Sequence, residues 1–170
     1  RIRPGDLQSL TFCISGGAGL PLEVKRGFEA MCSCTLTEGY GLSETSPVAA
    51  CNPHDRPPRE GSIGLPLPGT EFSIRSLEDP SVEVERGEAG EICIAGPQVM
   101  AGYWNKPEET ESAFVGRFFR TGDVGYMDEE GFIFIVDRIK DMINASGFKV
   151  YPRRIEDVLY EHPAVEEVTV

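Results

Sequence analysis

The stretch from Leu10 to Gly41 allows few folds. Leu10-Thr11-Phe12-Cys13-Ile14-Ser15 is a short apolar run, which predicts a buried strand. Gly16-Gly17-Ala18-Gly19 follows, then Pro21, a residue suited to the first turn of a helix. Val24, Phe28 and Met31 recur at helical spacing, which predicts an amphipathic helix with those three on one face. A second strand then leads into a loop at Glu38-Gly39-Tyr40-Gly41. Strand, glycine loop, helix and strand form a βαβ-type unit, part of a parallel sheet.

Beyond it the pattern changes. Cys51 to Gly69 is rich in Pro and Gly, so no regular element is expected there. Glu71-Phe72-Ser73-Ile74-Arg75 and Glu91-Ile92-Cys93-Ile94-Ala95 alternate polar and apolar around an acidic turn. They predict two half-buried antiparallel strands. Tyr126 to Val136 reads as a hairpin whose turn is closed by Gly131. Its second strand is apolar on both faces and is expected to be buried. Near the end, Pro152 opens a helix with Ile155, Val158 and Leu159 on one face, and Pro163 closes it. Val165 to Val170 is expected to begin another strand. The fold class is therefore mixed α/β: a βαβ-type part, a β-rich antiparallel or barrel-like part, and a small α+β part.

Three places carry chemistry. In Glu38-Gly39-Tyr40-Gly41-Leu42-Ser43-Glu44 the two glycines let the backbone bend tightly beside the Tyr40 ring. A flat ring next to a hydroxyl and a carboxylate suits a nucleotide: the ring stacks on a base, Ser43 reaches a phosphate, and Glu44 holds a hydrated Mg²⁺. A polar loop after a strand fits the same residues. Asp123 follows Gly122, where a carboxylate can accept from the two vicinal hydroxyls of a ribose; Thr-Gly-Asp is also a common turn. Arg138 keeps its charge and offers a fork of donors to ribose or phosphate; pairing with Asp137 or Asp141 is the alternative. The Gly17 loop lacks the third glycine of a dinucleotide fingerprint, and His54 is a lone loop histidine with no nucleophile spacing around it.

The stretch Tyr40-Gly41-Leu42-Ser43-Glu44 resembles the Tyr-Gly-x-Ser/Thr-Glu motif of the adenylate-forming superfamily. Further motifs of that family follow in order. They are Gly90 to Gly96 with Gly102-Tyr103-Trp104-Asn105-Lys106-Pro107, then Arg120-Thr121-Gly122-Asp123, Asp137-Arg138, and Lys140 to Pro152. The likeness runs from about Thr11 to Val170 and is nearest to long-chain fatty acid–CoA ligases. It implies that Gly17, Ala18, Glu38, Gly39, Tyr40, Gly41, Ser43, Asp123 and Arg138 bind ATP or AMP. It also implies that Ser43 and Glu44 are catalytic, with Glu44 on Mg²⁺, and that ATP and CoA are co-substrates with a fatty acid. Residues 1–139 would end a large AMP-binding domain and residues 140–170 would begin a small mobile one, hinged at Lys140. Gly147 would lie near CoA, and Lys149 near the adenylate phosphate. Tyr103 and Trp104 are assigned to packing. The resemblance places a phosphate loop and a catalytic lysine outside these residues, so the chain by itself is expected not to catalyse adenylation. Aryl-acid ligases and luciferase-like enzymes share many of these residues; a nucleotide-binding or carrier-interaction module without turnover is the other reading.

A net charge of −12 argues against nucleic acid as a partner, because a phosphate-backbone binder needs a basic face. Five cysteines, an odd number without Cys-x-x-Cys spacing, fit a reduced cytoplasmic setting, with the whole protein either free or peripherally membrane-associated.

Overall fold

The computed structural model describes residues 6–32, 34–53, 58–146, 148–162 and 164–170. His54, Gly147 and Pro163 lie outside the described residues. The first unit holds strands β1 (Phe12–Ser15), β2 (Thr35–Gly41), β3 (Val48–Cys51) and β4 (Leu65–Pro66), hydrogen-bonded in that order. Helix α1 (Leu22–Cys32) carries the chain from β1 to its parallel neighbour β2; the β2–β3 and β3–β4 pairs are antiparallel. The expected βαβ unit is present.

The second unit is a five-stranded antiparallel sheet. Strands β5 (Glu71–Arg75), β6 (Gly90–Ala95), β7 (Phe114–Val115), β8 (Phe118–Met127) and β9 (Ile133–Arg138) build it, with β8 paired to β6, β7 and β9. The short helix α2 (Pro107–Ser112) precedes β7. The predicted hairpin is β8–β9, and its turn is fixed by Asp128, whose carboxylate accepts the N–H groups of Glu130 and Phe132. Last come the hairpin β10 (Ile143–Ala145) and β11 (Phe148–Val150), and helix α3 (Pro152–Tyr160). Tyr40, Ala49, Ala50 and Ile63 join Ile74, Ile92, Ile94, Met127 and Ile133 in one buried cluster, so the core lies where the two larger sheets meet.

Several expectations are corrected. Of the apolar run 10–15, Phe12–Ser15 forms a strand, but Phe12 and Ile14 are exposed rather than buried. In α1 the residues that bury are Lys25 and Cys32; Val24 and Met31 face outward. Helical spacing locates an apolar face but not the surface it meets. The same is true of α3, where Ile155, Val158 and Leu159 are exposed. The Pro- and Gly-rich segment does contain a regular element. Leu65 and Pro66 pair with Cys51 and Ala50, and Gly64, at φ +91°, sits so close to Cys51 that a Cβ would lie 2.0 Å from its carbonyl carbon. Strand β6 is buried along its whole length, Glu91 included, rather than on one face. Residues 164–170 form no strand; the Val170 N–H is held instead by the Glu156 carboxylate.

Candidate functional site

Glu38, Gly39, Tyr40 and Gly41 do not bend into a loop. They are the last residues of β2, in extended backbone. The glycines serve close approach instead: at Gly41 a Cβ would lie 1.6 Å from the Pro47 carbonyl oxygen. The β2–β3 register slips between Tyr40 and Gly41. The chain then makes one 3₁₀ turn, Ser43–Thr45, pinned by the Thr45 hydroxyl, which accepts the Leu42 N–H.

The Tyr40 ring is buried against the core, and its hydroxyl donates to Asp123 Oδ2 at 2.5 Å. The other carboxylate oxygen of Asp123 lies 3.1 Å from Arg138 Nε. Asp123 and Arg138 face each other across the β8–β9 ladder, which is why residues 15 positions apart meet. Asp123 is 4% exposed. Burial pushes its carboxyl above the ordinary value, against the opposing pull of the Tyr40 hydroxyl and the Arg138 charge. The Tyr40 phenol is pushed far up by burial first and then by the Asp123 charge, so it remains a hydrogen-bond donor.

Thr121-Gly122-Asp123 is not a free turn but a bulge within β8. Glu91 pairs with Val124 and Cys93 with Arg120, so these three residues stand opposite Ile92 alone. Gly122 takes φ +74°, a left-handed conformation open to glycine. Bulges re-aim side chains, and this one turns Asp123 towards β2.

A cavity of about 850 Å³ opens beside this triad. Its wall includes Gly17, Ala18, Glu38, Gly39, Tyr40, Gly41, Asp123 and Arg138. Glu38 ties the glycine loop to β2 by accepting the Leu20 N–H at 3.2 Å, and burial raises its carboxyl above the usual value. Eight of the predicted site residues are thus brought together. Ser43 and Glu44 lie on the 3₁₀ turn after this wall rather than on it. Lys140 is exposed just beyond β9, and Lys149 is exposed on β11, off the cavity.

Two contributors were missed from sequence. Tyr103 is not a packing residue: its hydroxyl donates to Glu44 Oε1 at 2.9 Å, holding the carboxylate assigned to Mg²⁺. Arg153 of α3 lines the cavity, with its guanidinium against Gly19, where a Cβ would lie 2.0 Å from Nη2. Local sequence signals neither contact, since each joins elements far apart in the chain.

A family model described as "AMP-binding enzyme" matches residues 2–104. The chain belongs to the AMP-binding enzyme family. Among its AMP-binding relatives, the long-chain-fatty-acid–CoA ligase of Bacillus subtilis (strain 168) is 51% identical over 165 residues, covering 97% of this chain and 29% of that protein. The long-chain-fatty-acid–CoA ligase of Salmonella typhimurium is 46% identical over 168 residues, covering 96% and 30%. The ATP-bound structure of MatB from Rhodopseudomonas palustris superposes with a TM-score of 0.83 at 38% identity, covering 88% of this chain and 30% of that one. The o-succinylbenzoate CoA synthetase of Bacillus subtilis, in complex with the acyl-adenylate intermediate OSB-AMP, gives 0.83 at 33% identity, covering 96% and 33%. The chain therefore spans about three tenths of the length of the relatives it matches.

Proposed function

We propose that this chain carries the adenosine-holding part of an ATP-dependent long-chain fatty acid–CoA ligase. The observation that carries the reading is the hydrogen-bonded triad Tyr40–Asp123–Arg138 at the wall of a cavity whose volume suits a nucleotide. Each Asp123 oxygen has one protein partner and a second lone pair, so the carboxylate can accept from both ribose hydroxyls at once. The Arg138 guanidinium, half exposed, turns its remaining donors towards ribose or phosphate. Tyr40 supplies the aromatic wall for adenine.

The whole protein would activate a fatty acid in two halves. The carboxylate attacks the α-phosphorus of ATP, releasing pyrophosphate and leaving acyl-AMP; the CoA thiolate then displaces AMP. Ser43 is assigned to a phosphate oxygen. Glu44 fits Mg²⁺ in the manner of sites built from one carboxylate, waters and substrate phosphates. Its Oε1 is already oriented by Tyr103, and no cluster of three metal-ligating side chains occurs among the described residues. A bound Mg²⁺ would neutralise phosphate charge there. Residues 1–139 belong to the larger domain and residues 140–170 to the start of a mobile one. The turn in which Arg138 C=O accepts the Asp141 and Met142 N–H groups, with Lys140 exposed within it, suits a hinge. Motion about it is required before Lys149 could reach a phosphate. Gly147 is proposed to lie near CoA. A cytoplasmic location fits the free thiols of Cys13, Cys32, Cys34, Cys51 and Cys93, with peripheral contact to membranes through a lipid substrate.

The test is ATP–pyrophosphate exchange by the full-length protein with acetate, octanoate, palmitate, coumarate and mixed amino acids. Exchange peaking with palmitate is expected. A peak with coumarate would keep the nucleotide site and replace the acyl class, and absence of exchange with every acid would leave a binding module.

A further inference from the structure

We infer that Glu91 is a positioning residue for the proposed nucleotide site, acting by holding the bulge that aims Asp123. The inference rests on the ribose reading of Asp123 given above.

Glu91 is 3% exposed and is the second residue of β6, a strand buried along its whole length. A carboxylate there is expensive unless every lone pair finds a donor. One oxygen, Oε2, accepts from Arg120 Nε at 2.9 Å and from Arg120 Nη2 at 2.8 Å. The other, Oε1, accepts the main-chain N–H of Gly122 at 3.2 Å. Glu91 therefore spans the first and third residues of Arg120-Thr121-Gly122.

That N–H is the one the bulge takes out of the ladder. With Thr121, Gly122 and Asp123 opposite Ile92 alone, Gly122 has no strand partner on the β6 side. A buried N–H without an acceptor is costly, and Glu91 supplies the acceptor that the register denies. The remaining bonds of the bulge close round the same point. The Thr121 hydroxyl donates to Ile92 C=O at 2.7 Å and accepts the Asp123 N–H at 3.1 Å. On the far side, the Ile139 N–H donates to Gly122 C=O at 2.8 Å. Both main-chain groups of Gly122 are thus held, its N–H by Glu91 of β6 and its C=O by Ile139, the residue after β9.

Stability alone is a poor reason for this ion pair. Buried pairs gain little over apolar replacements of similar volume, because desolvation offsets the attraction. What an apolar side chain could not do is accept the Gly122 N–H. Without that bond the bulge can slide or flatten, and Asp123 then swings away from Tyr40 and Arg138.

The experiment compares wild type with Glu91→Leu and Glu91→Asp in the full-length protein. KM is measured for ATP, 2′-deoxy-ATP, 3′-deoxy-ATP and the acid substrate. Wild type should prefer ATP over both deoxy analogues; absence of that preference would refute the ribose reading itself, not the role of Glu91. In Glu91→Leu, which removes the acceptor, the preference should shrink about tenfold while KM for the acid changes less than twofold. Glu91→Asp keeps the charge beside Arg120 but withdraws it from Gly122 by one methylene; it should lose preference in the same direction and is decisive if the Leu variant does not fold. A folded variant that keeps the full preference for ATP, whatever happens to kcat or melting temperature, overturns the inference.

Discussion

Asp123→Asn in the full-length protein is expected to weaken ATP binding by about 10- to 100-fold while leaving the fold at least as stable as wild type. The binding loss follows from the loss of a charged acceptor, since hydrogen bonds to charged groups contribute about 1.5–3 kcal/mol. The stability result follows from the sign of the Asp123 shift. Burial raises its pKa in the folded state above the ordinary value of 3.8. Its favourable contribution is therefore complete below about pH 3.8 and is lost as pH rises through the folded value. At neutral pH the charged carboxylate burdens the fold. Asn keeps an acceptor for the Tyr40 hydroxyl and removes the charge, and the half-exposed Arg138 re-solvates at little cost. Calorimetric titration with ATP and thermal melts at pH 5 and pH 7.5 read both arms. Unchanged ATP affinity would remove Asp123 from the site; a large drop in melting temperature at pH 7.5 would show it to be structural.

The largest stability effect is expected at Gly41. An alanine Cβ there would lie 1.6 Å from the Pro47 carbonyl oxygen and 2.5 Å from its carbon, both backbone atoms that cannot rotate away. The β2–β3 connection has to open, at a cost of about 3 kcal/mol, the upper end for overpacking. Melting temperature should fall by about 6–12 °C. The 3₁₀ turn bearing Ser43 and Glu44 lies within the strained segment and should shift with it. Gly27→Ala is the control. It stands on α1 with open space at its Cβ position, and the change should stabilise by about 0.5–1 kcal/mol. Equal melting temperatures for the two variants would contradict the packing at Gly41.

What the sequence made legible was local. The βαβ unit, the β5–β6 pair and the β8–β9 hairpin were readable because alternation, helical spacing and turn residues act over a few positions. Eight residues of the cavity wall were also found, carried by motifs. What escaped depended on partners far along the chain. Glu91 read as a polar residue of an alternating strand, but it is buried, with Arg75 opposite it on β5 and the Arg120 guanidinium of β8 on its carboxylate. Tyr103 read as packing, because its acceptor Glu44 is 59 residues away. The bulge at Thr121-Gly122-Asp123 exists only relative to β6, so the segment alone looks like a turn. The apolar residues of α1 and α3 were placed on one face each, and Val24, Met31, Ile155, Val158 and Leu159 on those faces are exposed. Periodicity reports where apolar atoms lie on an element, not whether a neighbour is there to meet them.

The central claim is that Asp123, held by Tyr40 and Arg138, grips the ribose of a bound adenylate. The most direct measurement is a crystal structure of the full-length protein with AMP or a non-hydrolysable acyl-adenylate. Both ribose hydroxyls are expected within about 3.2 Å of the Asp123 carboxylate oxygens, with adenine against the Tyr40 ring. A ribose held by other residues, with Asp123 still bonded only to Tyr40 and Arg138, would contradict it.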